Sequence, residues 1–275
     1  MKKKFDNTSY IKLFILIVLF TAFVSISYKA FLLVKNRSFR ASTFNIMLVG
    51  RDVHIVGFNI PKKQIHVLEF SRARDLFSRK KTLSASLASG VPLDGMIISI
   101  QVANIIDSKN DIPTFAQTLS FLLEDEKYVF YGVNKFDLIK LYIVSELTSW
   151  EDKSFDIIQN LTQDFSEDQV LASKIGEKFR DSEIFNEKTS IEIVNSTEID
   201  GLGGRLGFIL SNIGANVISI KDGEESETKI EAKKYDIKIL RRIERLVELK
   251  AQKEDNTGIA DVTINLGKDL QQIVK

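Results

Sequence analysis

IEIVNST at 191–197, GLGGRLGFILSNIG at 201–214, ANVISI at 215–220, ETKIEA at 227–232, YDIKILRRIERLVELK at 235–250 and ADVTINLG at 260–267 decide the fold. The first, third, fourth and sixth are short runs rich in Ile and Val, as strands are. The second and fifth repeat apolar residues at three- and four-residue spacing, as amphipathic helices do. Gly214 closes the first helix and Asp222-Gly223 marks a turn. The order β-α-β-β-α-β predicts a two-layer α/β sandwich over residues 189–275, with both helices on one face of its sheet.

Working outward, the 275-residue chain has no cysteine and two histidines, His54 and His66. That excludes disulfides, thiolate metal sites and cysteine nucleophiles. It leaves almost no material for a histidine-built metal centre or a Ser/His/Asp triad. The net charge of +1 hides an asymmetry: residues 1–40 carry eight bases against one acid, and the rest carries 30 bases against 36 acids. A basic head on an acidic body is not the profile of a nucleic-acid binder, and no nucleic-acid partner is expected.

Residues 1–12 read as a cytoplasmic N-terminus and residues 13–34 as a transmembrane helix. LFILIVLFTAFVSISYKAFLLV holds one charge, Lys29, in 22 residues. A helix of that length crosses a hydrocarbon core of about 30 Å. A cleaved secretory signal is the competing reading, but the run is long for one and no small-x-small site precedes the soluble part. Lys2, Lys3, Lys4 and Lys12 favour a cytoplasmic N-terminus, while Lys29, Lys35, Arg37 and Arg40 pull the other way. Charge counting leaves the two orientations balanced.

Residues 44–150 form a small α/β region. FNIMLVG, VHIVGFNI and QIHVLEF read as strands, the last two joined by a turn at Pro61-Lys62-Lys63. His54 and His66 fall inside these strands and are expected there as surface or half-buried residues. DGMIISI (94–100) is a further strand; FAQTLSFLLEDE (115–126) and KFDLIKLYIVSELTSW (135–150) read as helices. Residues 151–188, rich in Asp, Glu, Lys and Ser, are expected to be a partly helical connector.

Two features of the C-terminal unit admit a binding role. Gly201, Gly203, Gly204 and Gly207 sit at a strand-to-helix junction, but their spacing matches neither G-x-G-x-x-G nor a Walker loop; close helix–sheet packing is the simpler reading. Lys234, Lys238, Arg241, Arg242 and Arg245 recur at helical spacing within a segment (233–253) of eight bases and three acids. Such a stripe is either an anion-binding face or a solvated surface laced with ion pairs.

The C-terminal run resembles the LytR C-terminal domain found beside LytR-CpsA-Psr (LCP) proteins of the bacterial envelope. The resemblance lies in Ile191-Glu-Ile-Val-Asn195-Ser-Thr197, Gly201-Leu202, Gly214-Ala-Asn-Val217 and Val262-Thr-Ile-Asn-Leu266-Gly267. Ser196 stands where that pattern favours glycine. Residues 45–150 resemble a shortened, eroded LCP domain: Asn45-Ile-Met-Leu-Val-Gly50-Arg-Asp52, the hairpin Ile55–Phe70 followed by Ser71-Arg72, and Pro92-Leu-Asp94-Gly-Met-Ile-Ile98. The resemblance implies transfer of glycopolymers from polyprenyl-pyrophosphate carriers to the cell wall, with arginines on the pyrophosphate and acids on Mg²⁺. Those residue types suit the chemistry: forked donors for phosphates, carboxylate oxygens for the metal.

On that pattern, Arg72 and Arg74 are the candidate catalytic residues and Asp52 and Asp75 the candidate Mg²⁺ ligands. The set is incomplete, since no arginine lies between Arg79 and Arg180. The expectation is therefore a single-pass protein of the cell membrane with extracytoplasmic C-terminal domains. Its role would be non-catalytic, binding or scaffolding in cell-wall polymer assembly, without a cofactor. The alternative is a reduced LCP-type phosphotransferase using Mg²⁺. Expected partners are membrane lipid and an anionic wall glycopolymer, polyprenyl pyrophosphate or another envelope protein.

Overall fold

The computed structural model describes residues 7–35, 43–71, 73–99, 128–134, 137–139, 141–143, 151–158, 175–253 and 258–270. Two compact units result, Met1–Arg40 and Ala41–Lys275. Helix α1 spans Asn7–Lys35 of the first. Its 29 residues contain the whole expected span 13–34, and Leu13, Phe14, Leu16, Phe20 and Phe23 are exposed on it. Among the described residues no helix is long and apolar enough to cross a membrane.

The second unit is mixed α/β and holds two sheets. Strands β1 (Thr43–Val49), β2 (Val53–Asn59) and β3 (Gln64–Phe70) make an antiparallel meander. The β2–β3 turn falls at the expected Pro61–Lys63, with Lys63 in the left-handed region at φ 51°. Two short helices follow, α2 (Arg74–Phe77) and α3 (Thr82–Ser89), and the chain returns beside β1 as the parallel strand β4 (Gly95–Ser99). β5 (Tyr128–Tyr131) pairs antiparallel with β4, and β6 (Asp152–Ile158) pairs parallel with β3. The six-stranded order is β5-β4-β1-β2-β3-β6.

Every residue of β1, β2 and β4 is buried. Continuous apolar runs such as IMLV are what a sheet covered on both faces requires. On one face Met47, Ile55 and Leu68, neighbours in register, pack with Phe77, Val91, Met96 and Phe179. Gly57 lies under the Phe179 ring, where an added Cβ would come within 2.6 Å of Cε1. Strand β6 departs from expectation, since its residues were assigned to the partly helical connector. DKSFDII alternates polar and apolar residues only from Ser154 to Ile157, and it pairs with the open edge of β3. The expected helix at 115–126 lies outside the described residues, while 137–139, 141–143 and 175–179 are helical.

The second sheet, of five strands, holds the four strands expected of the C-terminal run, and the two expected helices fall between them in the expected order. After α4 (Ser182–Glu187) come β7 (Ser190–Asn195), α5 (Leu202–Ile213), β8 (Asn216–Asp222), β9 (Lys229–Ala232), α6 (Lys238–Val247), a two-residue β10 (Gln252–Lys253) and β11 (Val262–Leu266). The order is β10-β9-β11-β7-β8. Alternation places Ile191, Ile193, Ile230, Val262, Ile264 and Leu266 on one face, buried under Leu206, Ile209, Leu210, Ile239, Ile243 and Leu246 of α5 and α6. Glu192, Glu231, Thr263 and Asn265 point the other way and are partly exposed. That is a two-layer sandwich. Leu83 and Leu87 of α3 enter the same core, and the Asn212 amide donates to the Gly90 carbonyl at 3.1 Å.

Candidate functional site

In open α/β sheets, ligands collect beyond the carboxyl ends of parallel strands. Here those ends belong to β1 and β4, and Arg74 reaches them. Its guanidinium donates to the Gly50 carbonyl at 2.7 Å and to the Ser99 carbonyl at 2.9 Å. The candidate pyrophosphate arginine thus caps the backbone of two strand ends. Arg72 lies outside the described residues. Asp52 closes the β1–β2 turn, its carbonyl accepting from Gly50 N at 3.0 Å, and its side chain is partly buried. Asp75 is exposed in the first turn of α2. Among the described residues no three Asp, Glu, His or Cys side chains group as metal ligands.

The two histidines are more buried than expected. His54 Nε2 lies 3.6 Å from Glu69 on the neighbouring strand. His66 Nδ1 is 2.7 Å from Ser154 Oγ of β6. Both serve strand pairing.

The basic helix α6 is the larger surprise. Arg242, a candidate for an external anion, is 3% exposed. Its guanidinium donates to Asp94 Oδ2 at 2.5 Å and to Thr43 Oγ1 at 2.7 Å, with Asp181 Oδ2 at 3.5 Å. Thr43 in turn donates to Asp181 at 2.9 Å, and Asn45 N donates to Asp94 Oδ2 at 2.9 Å. Asp181 uses its other oxygen to cap α4, accepting from Glu183 N and Ile184 N. Arg245 reaches Asp94 Oδ1 at 3.2 Å. Burial pushes the Arg245 guanidinium below its ordinary value; Asp94 and Asp137 oppose the shift and Arg242 adds to it.

A buried arginine needs compensation of this kind, since an unpaired charge in the interior is costly. The compensation joins the strands of one sheet to a helix of the other. The remaining members of the stripe also find partners on this chain. Lys238 pairs with Glu183 at 2.7 Å, which raises the lysine pKa through the hydrogen bond. Its backbone N–H donates to the Glu187 carboxylate of α4 at 3.0 Å, a cap that the N-cap residue Ile237 has no side-chain acceptor to offer. Arg241 pairs with Asp236 at 2.7 Å. Lys234 is exposed near Asp261, whose carboxyl is held below the usual range chiefly by hydrogen bonds from Ser190.

Of the three glycines of α5, Gly203 and Gly207 are packing residues, whereas a Cβ on the exposed Gly204 would meet nothing within 4 Å. A Cβ on Gly207 would lie 2.7 Å from Ile220 Cδ1, and one on Gly203 would lie 3.2 Å from Ile220 Cγ2. Gly201 starts the helix at φ 69°. At the end of β7, Asn195 Oδ1 accepts from Thr197 N and Oγ1 at 3.2 and 2.6 Å, an Asx turn. Ser196 needs no left-handed backbone there, so the expected glycine is dispensable.

One cleft was passed over at the sequence level. Arg180, Phe185, Lys188, Ser211, Gly214 and Asn216 line a space of about 330 Å³ beside α4. In RDSEIFNEK two terminal bases enclose three acids, and only the helix face separates them.

No family model matches the chain, and no curated protein matches it. The expected LytR C-terminal membership thus rests on the quoted residues alone. Among solved structures the chain is similar to TagT bound to LIIa-WTA, at 13% identity and a TM-score of 0.28. It is also similar to TagT bound to LI-WTA (12%, 0.27) and to TagT of B. subtilis (13%, 0.27). Each match covers 43% of this chain and 78% of the other. Scores of that size establish neither activity nor ligand. What the molecule defines by itself is a mixed α/β protein with two sheets joined by a buried ion cluster.

Proposed function

We propose that this is a membrane-anchored cell-envelope protein that binds and positions an anionic wall glycopolymer without catalysing its transfer. One observation carries the non-catalytic part. Arg74, a candidate arginine at the strand ends where a pyrophosphate would need forked donors, is held by the carbonyls of Gly50 and Ser99. Arg242 and Arg245 are likewise held by Asp94. A diphosphate would have to displace those partners, and each charge-assisted hydrogen bond contributes about 1.5–3 kcal/mol. The resemblance to the LytR C-terminal domain supports the envelope setting. The exposed apolar side chains of α1 support the anchor, as does the single charge among the 22 residues from Leu13 to Val34.

Because the chain has no cysteine, single engineered cysteines report topology cleanly. Ile259 is 91% exposed and suits the purpose. Ile259→Cys should react with a membrane-impermeant maleimide on intact cells. Reaction only after lysis would overturn the extracytoplasmic placement.

A further inference from the structure

We propose that the cleft beside α4 binds a phosphate ester, with Arg180 and Lys188 taking the phosphate and Phe185 the carbon skeleton next to it. The assignment rests on the binding role above and names where such a ligand is held.

Charge around α4 is sorted by helix face. Three acids lie on or at α4, and all three turn toward β1 or α6. Asp181 meets Thr43 and Arg242. Glu183 meets the Lys238 ammonium, and Glu187 meets the Lys238 backbone N–H. The opposite side keeps Arg180, Phe185 and Lys188, and among the described residues no carboxylate lines the cleft they border. Two cations without an acid between them make a site of positive potential, and Ser211 and Asn216 add neutral hydrogen-bonding groups.

Arg180 stands over the Phe185 ring at 5.1 Å. A cation–π contact uses the ring face and leaves the N–H donors of the guanidinium edge for an anion. Phe185 is itself half exposed, an apolar surface of the kind that the C–H face of a sugar or polyol can cover. Gly214 at φ 110° forms the floor, where an added Cβ would stand 3.0 Å from Phe185 Cβ. Lys188 holds the left-handed C-cap of α4 at φ 51°, a position where glycine is the usual occupant.

That last feature supplies a clean variant: Lys188→Gly removes the charge and suits the backbone, so the fold is kept. The experiment titrates the full chain in detergent micelles with glucose 1-phosphate, inorganic phosphate and glucose, followed by saturation-transfer NMR. Glucose 1-phosphate is expected to bind in the millimolar range, phosphate more weakly and glucose not at all. In Lys188→Gly combined with Arg180→Gln, affinity should fall at least about tenfold, while Arg241→Gln leaves it unchanged. Equal binding by the double variant, or no binding by the parent, overturns the assignment. A wall glycopolymer retained equally by parent and double variant would leave the binding role standing and sink only this site. Loss of both would sink the two together.

Discussion

The guanidinium of Arg242 donates to the carboxylate of Asp94 at 2.5 Å, across 148 residues of sequence, with both side chains almost wholly removed from water. The pair joins helix α6 of the second sheet to the start of β4 in the first. Removing Arg242 leaves the buried Asp94 carboxylate with Arg245, at 3.2 Å, as its remaining cationic partner, which costs up to about 3–5 kcal/mol. Arg242→Met should therefore lower the unfolding free energy by that amount in urea titrations. The double variant Arg242→Met/Asp94→Asn should be less damaged than the sum of the singles, by more than about 1 kcal/mol. Strict additivity would mean that the two residues do not act as a pair.

Arg74 bridges two strand ends through backbone carbonyls. Arg74→Gln should destabilise the protein by about 1–3 kcal/mol, and Arg74→Lys should recover only part of this, because one ammonium cannot reproduce a forked donor. A variant as stable as the parent would contradict the structural role and return Arg74 to the pool of free phosphate ligands.

Two glycines separate tolerable from intolerable crowding. A Cβ on Gly207 meets the terminal methyl of Ile220 at 2.7 Å, and Ile220 is half exposed and able to move. A Cβ on Gly267 meets the Glu227 backbone carbon at 2.2 Å. Gly267→Ala should cost more than about 2 kcal/mol and Gly207→Ala less than about 1 kcal/mol, measured by thermal or denaturant unfolding. The reverse ranking would refute the register of β9 against β11 that creates the contact.

Asp261 makes a pH prediction. Ser190 donates to it from both N–H and Oγ, at 2.9 and 2.7 Å, and holds its carboxyl below the usual range. A depressed folded-state pKa adds stability that is complete above the unfolded value, about 3.9 for Asp, and is lost as pH falls below it toward the folded value. Asp261→Asn should therefore be less stable than the parent at pH 6, and the gap should narrow in acid. A gap independent of pH would remove Asp261 from the acid sensitivity of the fold.

How much of this could be read from residues alone follows from the range of the interactions. The C-terminal β-α-β-β-α-β unit was legible because its signals are local: alternation in IEIVN, helical spacing in YDIKILRRIERLV, and Gly214 at the left-handed stop. The hairpin around Pro61–Lys63 was legible for the same reason. Strand β6 was not, because its pairing with β3 bridges 88 positions between Gln64 and Asp152.

The basic stripe was misleading in an instructive way. Helical spacing shows that its charges share a helix, yet Asp94, Asp181 and Glu183, which neutralise them, come from elsewhere in the chain. A signal was present all the same. Arg242 lies three residues after Ile239 and four before Leu246, so it shares their inward stripe. The cleft of Arg180 and Lys188 carried no such signal, since it depends on which way each α4 side chain turns.

The central claim is that the protein holds a glycopolymer and does not transfer it. The most direct test incubates the full chain in detergent micelles with a wall glycopolymer still joined to its polyprenyl-pyrophosphate carrier, with Mg²⁺ and acceptor wall present. The products are then separated by size. The account predicts polymer co-eluting with the protein and still attached to its carrier. Release of the carrier with polymer joined to the wall, or polymer eluting apart from the protein, would contradict it.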